Sequence, residues 1–327
     1  MHILLSTDKN YIMPSAVMMK SVSVNNASDN ITFHVLIDSG VTNLHKQQLQ
    51  RIVEQHPNHI VVFHLVEDDL FKDFPQLGKV KKYITQATYY RLFITDFLPE
   101  NVHKVIYLDG DIIVRHSLSS LWNMDINNYA IGAVVDMAEA KHDYVRLGYD
   151  KCLGYFNAGV LLMNLDYWRE HQLKTKFLEL IVNEPGKIVL HDQDVLNITL
   201  NEQKLNLPMK YNAQSGFFHH RKYSELGGRY DEYWPELKEA ITDPFIIHYA
   251  DKIKPWHVED SHPYGFEFMK YYKQTEWRHD KLLECGSKRI RHFVGKILRK
   301  LRLISAPRLG TENYYTLEEI MALKTSK

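Results

Sequence analysis

The run VIYLDGDIIV, residues 105–114, constrains the fold more than any other stretch of the chain. Its β-branched and aliphatic residues show no polar alternation, which is the pattern of a strand buried on both faces. A strand covered above and below needs a layer on each side, and helices packed on a mostly parallel sheet supply both. The first part of the run, Val105 to Leu108, and six further short apolar runs read as strands: Ile3 to Ser6, Thr32 to Ile37, Ile60 to Leu65, Ala130 to Val135, Gly159 to Met163 and Phe245 to His248. Helical patterns over Ala16 to Val24, Asn43 to Gln55 and Tyr89 to Phe97 alternate with them. The sequence therefore predicts an α/β fold, a Rossmann-like, twisted, mostly parallel sheet flanked by helices.

The same run places two carboxylates, Asp109 and Asp111, one residue apart in apolar surroundings. An ionised carboxylate buried there has to be paired, neutralised or bound to a metal. Residues i and i+2 of an extended chain point to one side, so the pair can share one divalent ion, with Gly110 letting the backbone bend between them. D-x-D also recurs in turns and caps, and its position after VIYL is what gives it weight. Ligands of open α/β sheets gather beyond the carboxyl ends of the strands, and Asp8, Asp38, Asp109, Asp111 and Asp136 each follow an apolar run. The stretch LLSTDKNY lacks the glycine-rich fingerprint that brings a backbone up to a pyrophosphate, so a metal is expected to hold the phosphates instead.

Charge narrows the partners. Forty Lys and Arg balance forty Asp and Glu, which leaves no overall basic footprint and predicts no nucleic-acid partner. Cys152 and Cys285 lie far apart, a spacing that suggests neither a disulfide framework nor a cysteine zinc site. The opening MHILLSTDKN is too short for a signal-peptide core, and no run spans a bilayer, so a cytoplasmic location is expected. Between Lys281 and Leu303, however, eight Lys and Arg face a single Glu284. Ile290, Phe293, Val294, Ile297, Leu298 and Leu301 recur there at helical spacing, predicting a basic amphipathic helix over about 288–303. Such a helix suits the inner face of an anionic membrane, and equally a packed helix with a solvated basic side. On the first reading, residues from 281 onward are dispensable for turnover on a soluble acceptor.

Six ordered motifs, LLSTDKNY, TYYRLFITDFLP, KVIYLDGDIIV, YFNAGVLLMNLDYWR, LHDQDVLN and IIHYADKIKPW, resemble glycosyltransferase family 8 over about residues 1 to 260. The likeness is to its bacterial lipopolysaccharide α-galactosyltransferases and α-glucosyltransferases. It implies a GT-A domain over 1–265 followed by a C-terminal helical extension over 266–327. It also implies a UDP-galactose or UDP-glucose donor, a glycan or glycolipid acceptor, retention of configuration, and a manganese ion, with magnesium less effective.

Carried over residue by residue, the resemblance makes Asp109, Asp111 and His248 metal ligands. Asp8, Asn10, Tyr11, Arg91, Gly110 and Lys254 fall at donor-binding positions, and Asn157, Asp192 and Gln193 at positions lining the transferred sugar. The chemistry agrees: an imidazole added to two carboxylates shifts preference from magnesium toward manganese. A lysine near the diphosphate would stabilise the charge developing on the departing nucleotide. Nearest the anomeric carbon stands Gln193, an amide and a poor nucleophile, with Asp194 next in sequence. Double displacement and front-side attack both remain open, and the amide favours the second.

Without the resemblance, Arg91 reads as a helix-surface residue, Asp192 as a helix N-cap before DVLNITL, and His248 as a core histidine. Two positions depart from the family pattern. Lys9 stands where an acid is common, and Asp251 stands at a glycine position, where a carboxylate would bring like charge toward a phosphate. The alternatives are a sugar nucleotidylyltransferase, which would carry a glycine-rich basic loop that this chain lacks, and a catalytically silent glycan- or membrane-binding relative.

Overall fold

A computed structural model of the chain describes residues 1–67, 86–219, 230–284 and 314–325. Among the described residues, ten strands form two sheets: β1 (His2–Thr7), β2 (Ile31–Ile37), β3 (His59–Leu65), β4 (Lys104–Leu108), β5 (Ile112–Val114), β6 (Ile131–Val135), β7 (Phe156–Asn164), β8 (Lys204–Asn206), β9 (Ala213–Gln214) and β10 (Ile246–His248). The larger sheet runs β3-β2-β1-β4-β7-β6-β8 and the smaller β5-β10-β9. Strands β3, β2, β1 and β4 are parallel, as helical crossovers between successive strands require. β7 runs antiparallel to both β4 and β6, and every one of its residues is buried.

Two helices illustrate how the sequence builds the flanking layers. Helix α1 (Ile12–Asn25) is apolar nearly all round and is buried along most of its length, with Pro14 confined to its first turn. Helix α2 (Asn43–Val53) is amphipathic instead. Thr42 caps it by accepting from the His45 backbone N–H, and Leu49, Ile52 and Val53 share its buried face.

The strand expected over Val105 to Leu108 is β4, and the run continues beyond it into a second strand. β4 ends at Leu108, residues 109–111 turn, and the chain re-enters as β5 in the second sheet, antiparallel to β10. Glycine is required at this turn, because a Cβ on Gly110 would lie 2.9 Å from both the Ser15 hydroxyl and the Tyr11 ring. The Phe245 to His248 run likewise joins the small sheet, as β10. The helix read over Tyr89 to Phe97 is a 3-10 helix, Gln86–Phe93, followed by one α turn, Ile94–Phe97.

The described part of the C-terminal extension shares the main core. Phe268, Tyr271 and Tyr272 of the helix Gly265–Tyr272 pack in the same cluster as Met18 and Val22 of α1, and Asn25 Nδ2 donates to the Tyr271 hydroxyl at 2.7 Å. Ile320 of the helix Leu317–Thr325 is also in that cluster, 2% exposed, which argues against the expected dispensability of the C-terminus. The basic helix expected over about 288–303 lies outside the described residues. Among those described, no helix is long and apolar enough to cross a membrane.

Candidate active site

The two sheets meet at the turn between β4 and β5. The Asp109 N–H donates to the Gly159 carbonyl at 2.9 Å, and the Tyr249 N–H donates to the Asp111 carbonyl at 3.0 Å. One side of the turn is thus pinned to β7 and the other to the end of β10. His248, the last residue of β10, points between the two carboxylates. Its Nε2 lies 3.5 Å from Asp111 Oδ1 and 3.9 Å from Asp109 Oδ2. One potential ligand atom from each of the three residues lies within 4.8 Å of the others.

The protonation of His248 follows from a chain of hydrogen bonds that starts at a backbone group. The Gly159 N–H donates to Asn157 Oδ1 at 3.0 Å, so that atom is an oxygen that accepts. Asn212 Nδ2 donates to the same oxygen at 2.9 Å, which leaves Asn212 Oδ1 facing His248 Nδ1 at 3.0 Å. His248 must therefore carry its proton on Nδ1, and the Nε2 lone pair faces the carboxylates. Two hard oxygens and one oriented imidazole nitrogen fit a divalent cation.

The flanking charges hold this set in place. Lys254 Nζ donates to Asp111 Oδ2 and to the Tyr249 carbonyl, both at 2.6 Å. Burial pushes the Asp111 carboxyl upward, but its charge partners, the Lys254 ammonium first among them, more than reverse that and hold it well below the usual carboxylate range. Asp109 Oδ1 accepts from Arg91 Nη2 at 2.9 Å and from the Tyr107 hydroxyl at 2.8 Å. Arg91 is buried, not on a helix surface. Its guanidinium lies over the Tyr107 ring at 4.1 Å, and its Nε sits 2.9 Å from Asp192 Oδ2. Burial pushes the Asp192 carboxyl up to about 7, with Arg91 opposing the rise and Asp109 adding to it.

Asp192 is not the N-cap of the helix His191–Leu200; that position is Leu190. The capping work falls to Asp194, whose Oδ2 accepts from the Val189 and Leu190 backbone N–H groups at 2.7 Å. Arg146 and the Tyr155 hydroxyl also donate to it, at 2.9 and 2.8 Å. Gln193 Oε1 accepts from the Ala158 N–H at 3.0 Å and from Asn157 Nδ2 at 3.3 Å. Asp136 joins this group, with Oδ2 3.2 Å from Asn157 Nδ2. Burial alone would raise the Asp136 carboxyl, but His142, the Ala138 N–H and Asn157 hold it below its ordinary value.

A cavity of about 420 Å³ opens against part of this network. Of the residues expected from sequence, Asp8, Tyr11, Arg91, Asp109, Gly110, Asp111, Asn157, Asp192, Gln193 and His248 line it. Asn10 does not: it is exposed, and its backbone N–H donates to Asp8 Oδ1 at 2.7 Å. Lys254 also lies outside the lining, engaged with Asp111. Tyr11 meets Trp256 edge-on, with ring centroids 5.8 Å apart. Asp251 does not approach the cavity wall as a like charge; it is buried against His219 and Tyr314.

Asn212 and Gly159 were missed as site residues. Asn212 carries no motif of its own, and only the pairing of β9 with β10 brings it beside His248. Gly159 was visible in FNAG, but its function is steric: a Cβ there would lie 2.3 Å from His248 Cε1 and 2.9 Å from Asp109 Oδ2.

A sheet edge that gathers two carboxylates and an imidazole beside a cavity of this size fits a GT-A glycosyltransferase. The chain belongs to glycosyltransferase family 8: residues 2–260 match the model described as "Glycosyl transferase family 8". General stress protein A of Bacillus subtilis is 29% identical over 85% of this chain and 94% of its own length. The lipopolysaccharide 1,3-galactosyltransferase of Salmonella typhimurium is 28% identical over 84% of this chain and 79% of its own. The crystal structure of the galactosyltransferase LgtC with donor and acceptor sugar analogs superimposes with a TM-score of 0.74 at 27% identity, covering 85% of this chain and 99% of that one. This membership sets aside the nucleotidylyltransferase reading.

Proposed function

We propose that this hexosyltransferase transfers galactose or glucose from a UDP-sugar to a lipopolysaccharide, glycolipid or surface-glycan acceptor, with retention and with manganese as its ion. The observation that carries this reading is the orientation of His248, whose Nε2 lone pair faces Asp109 and Asp111. A nitrogen in an otherwise carboxylate set favours manganese over magnesium. When bound, the ion supplies positive charge to the diphosphate as the nucleotide departs. Lys254 keeps Asp111 ionised and fixed in place. Asp8 and Tyr11 suit the nucleoside end, where a carboxylate accepts from hydroxyls and a ring packs on the base. Asn157, Asp192 and Gln193 present donors and acceptors to the hexose hydroxyls, with Asp136 behind them holding the Asn157 amide.

Asp194 is committed to four donors and Gln193 is an amide, so neither suits a covalent glycosyl intermediate. That favours front-side attack, in which the leaving phosphate oxygen takes the acceptor hydroxyl's proton.

Nucleotide release measured across a panel of nucleotide sugars, with manganese, magnesium or chelator, tests the reading. Turnover is expected with a UDP-hexose, lost on chelation and restored best by manganese. His248→Ala should lose more activity in manganese than in magnesium. Turnover indifferent to chelator, or equal losses in both ions, would remove His248 from the metal set.

The basic amphipathic pattern between Lys281 and Leu303 supports peripheral attachment to the cytoplasmic membrane face, where a lipid-linked acceptor is exposed. Each basic residue near such a surface contributes about 1 kcal/mol, and salt screens the attraction. Co-sedimentation with anionic vesicles should fall steeply between low and high salt and be weak with neutral vesicles. Binding indifferent to lipid charge would reject the attachment.

A further inference from the structure

The loop that leaves β10 carries His248, Asp251 and Lys254 at every third position. The first faces the carboxylate pair, and the last bridges the Tyr249 carbonyl and Asp111. Asp251, between them, turns the opposite way and is 7% exposed. Its Oδ2 accepts from the Tyr314 hydroxyl at 2.8 Å and lies 3.0 Å from His219 Nε2. Tyr314 meets the His219 ring edge-on at 4.2 Å and pairs with that residue in an antiparallel bridge, and the Tyr315 N–H donates to the Phe218 carbonyl at 2.8 Å. Ser215 completes the path: its hydroxyl accepts from the Asp251 N–H and donates to the His248 carbonyl, both at 3.4 Å.

We propose that Tyr314 is a positioning residue: by holding Asp251, the C-terminal segment fixes the stretch that presents His248 to the metal site and Lys254 to Asp111. A buried carboxylate needs its partners, since removing one leaves charge uncompensated. Asp251 therefore keeps its orientation only while Tyr314 and His219 hold it, and the three-residue spacing transmits that orientation in both directions along the loop. The catalytic consequence rests on the metal role given above to His248 and on the hold of Lys254 on Asp111. The mechanical link itself does not.

Tyr314→Phe deletes one hydroxyl and keeps the ring, and Asp251→Asn keeps the shape and removes the charge. In both variants the amides of residues 249–258 should exchange faster than in wild type in the ligand-free protein. The dissociation constant for Mn²⁺ with UDP, by calorimetry, and the donor KM should rise about 3- to 10-fold, the scale of one ordinary hydrogen bond, since the lost contact acts on the site only through the loop. kcat should change less, and the double variant should add little to either single one, because both break the same contact. Ile320→Ala provides the comparison: it loosens the C-terminal helix without touching Asp251. Unchanged amide exchange in Tyr314→Phe overturns the latch, whatever the donor proves to be. Binding losses that Ile320→Ala reproduces at an equal drop in Tm overturn it as well. Wild-type protein that fails to bind Mn²⁺ with UDP, while the exchange effect persists, refutes the metal and donor assignment and leaves the latch standing.

Discussion

Replacing Asp111 with Ala eliminates metal-dependent sugar transfer while leaving a folded protein. Asp111 is the most constrained member of the metal set: Lys254 holds one carboxylate oxygen at 2.6 Å and His248 faces the other at 3.5 Å. Its depressed pKa means that the ionised form is the one the fold is built around. The stability this pairing contributes is present above the unfolded-state pKa and is lost as pH falls toward the lower folded value. At neutral pH the variant therefore gives up some stability, but Lys254 is partly exposed and water can replace its lost partner. The ligand has no such replacement. Turnover should fall by about 100-fold or more, at least the loss seen when groups that merely orient a metal ligand are removed. A second readout avoids reliance on activity: Mn²⁺ with UDP should raise the wild-type Tm through binding linkage and leave the variant's unmoved. An Asp111→Ala protein that kept the metal-induced rise in Tm would show that the ion sits elsewhere.

Sequence was most informative where chemistry and burial coincide. Apolar runs located β1, β2 and β4 to within a residue or two, because β-branched and aliphatic clustering reports burial directly. It could not report which sheet a run joins. Residues 105–114 have one continuous composition, yet they are shared between two sheets at Gly110, and the reason is a close approach to Ser15 and Tyr11, almost a hundred residues earlier in sequence. Composition alone could not choose between Asp192 and Asp194 as the capping acid, for a related reason. Either acid fits the first turn of a helix, and only the path of residues 189–190 decides which one reaches backward to cap it. Asn10 stands outside the cavity lining, and the contact the structure gives it is from its backbone N–H to Asp8. Asp251 looked like misplaced charge beside a phosphate until its partners, His219 and Tyr314, came from 32 residues before it and 63 after it.

The largest effect expected from the smallest change is at Gly159. Every residue of β7 is buried, and Gly159 lies where the strand passes beneath the imidazole of His248. An added methyl would sit 2.3 Å from Cε1, 2.7 Å from Nδ1 and 2.9 Å from Asp109 Oδ2. Gly159 does not lie in the left-handed region, so alanine suits its backbone, and by reducing the freedom of the unfolded chain alone the substitution would stabilise by about 0.4–1 kcal/mol. The clash overrides that gain. β7 cannot retreat, because it is paired with β4 and β6 and its Gly159 carbonyl holds the Asp109 N–H. The ring cannot easily retreat either, since Nδ1 is tied to fully buried Asn212. What yields is the orientation of His248 or Asp109, at a cost of about 1–3 kcal/mol for overpacking. Gly159→Ala should therefore lower Tm by a few degrees and cut manganese-dependent turnover by about 100-fold, the scale of a misplaced reacting group. Placed on a His248→Ala background, the same substitution should cost little more, because the ring it displaces is already gone. Full additivity of the two losses would mean that Gly159 acts on the site by some route other than the imidazole.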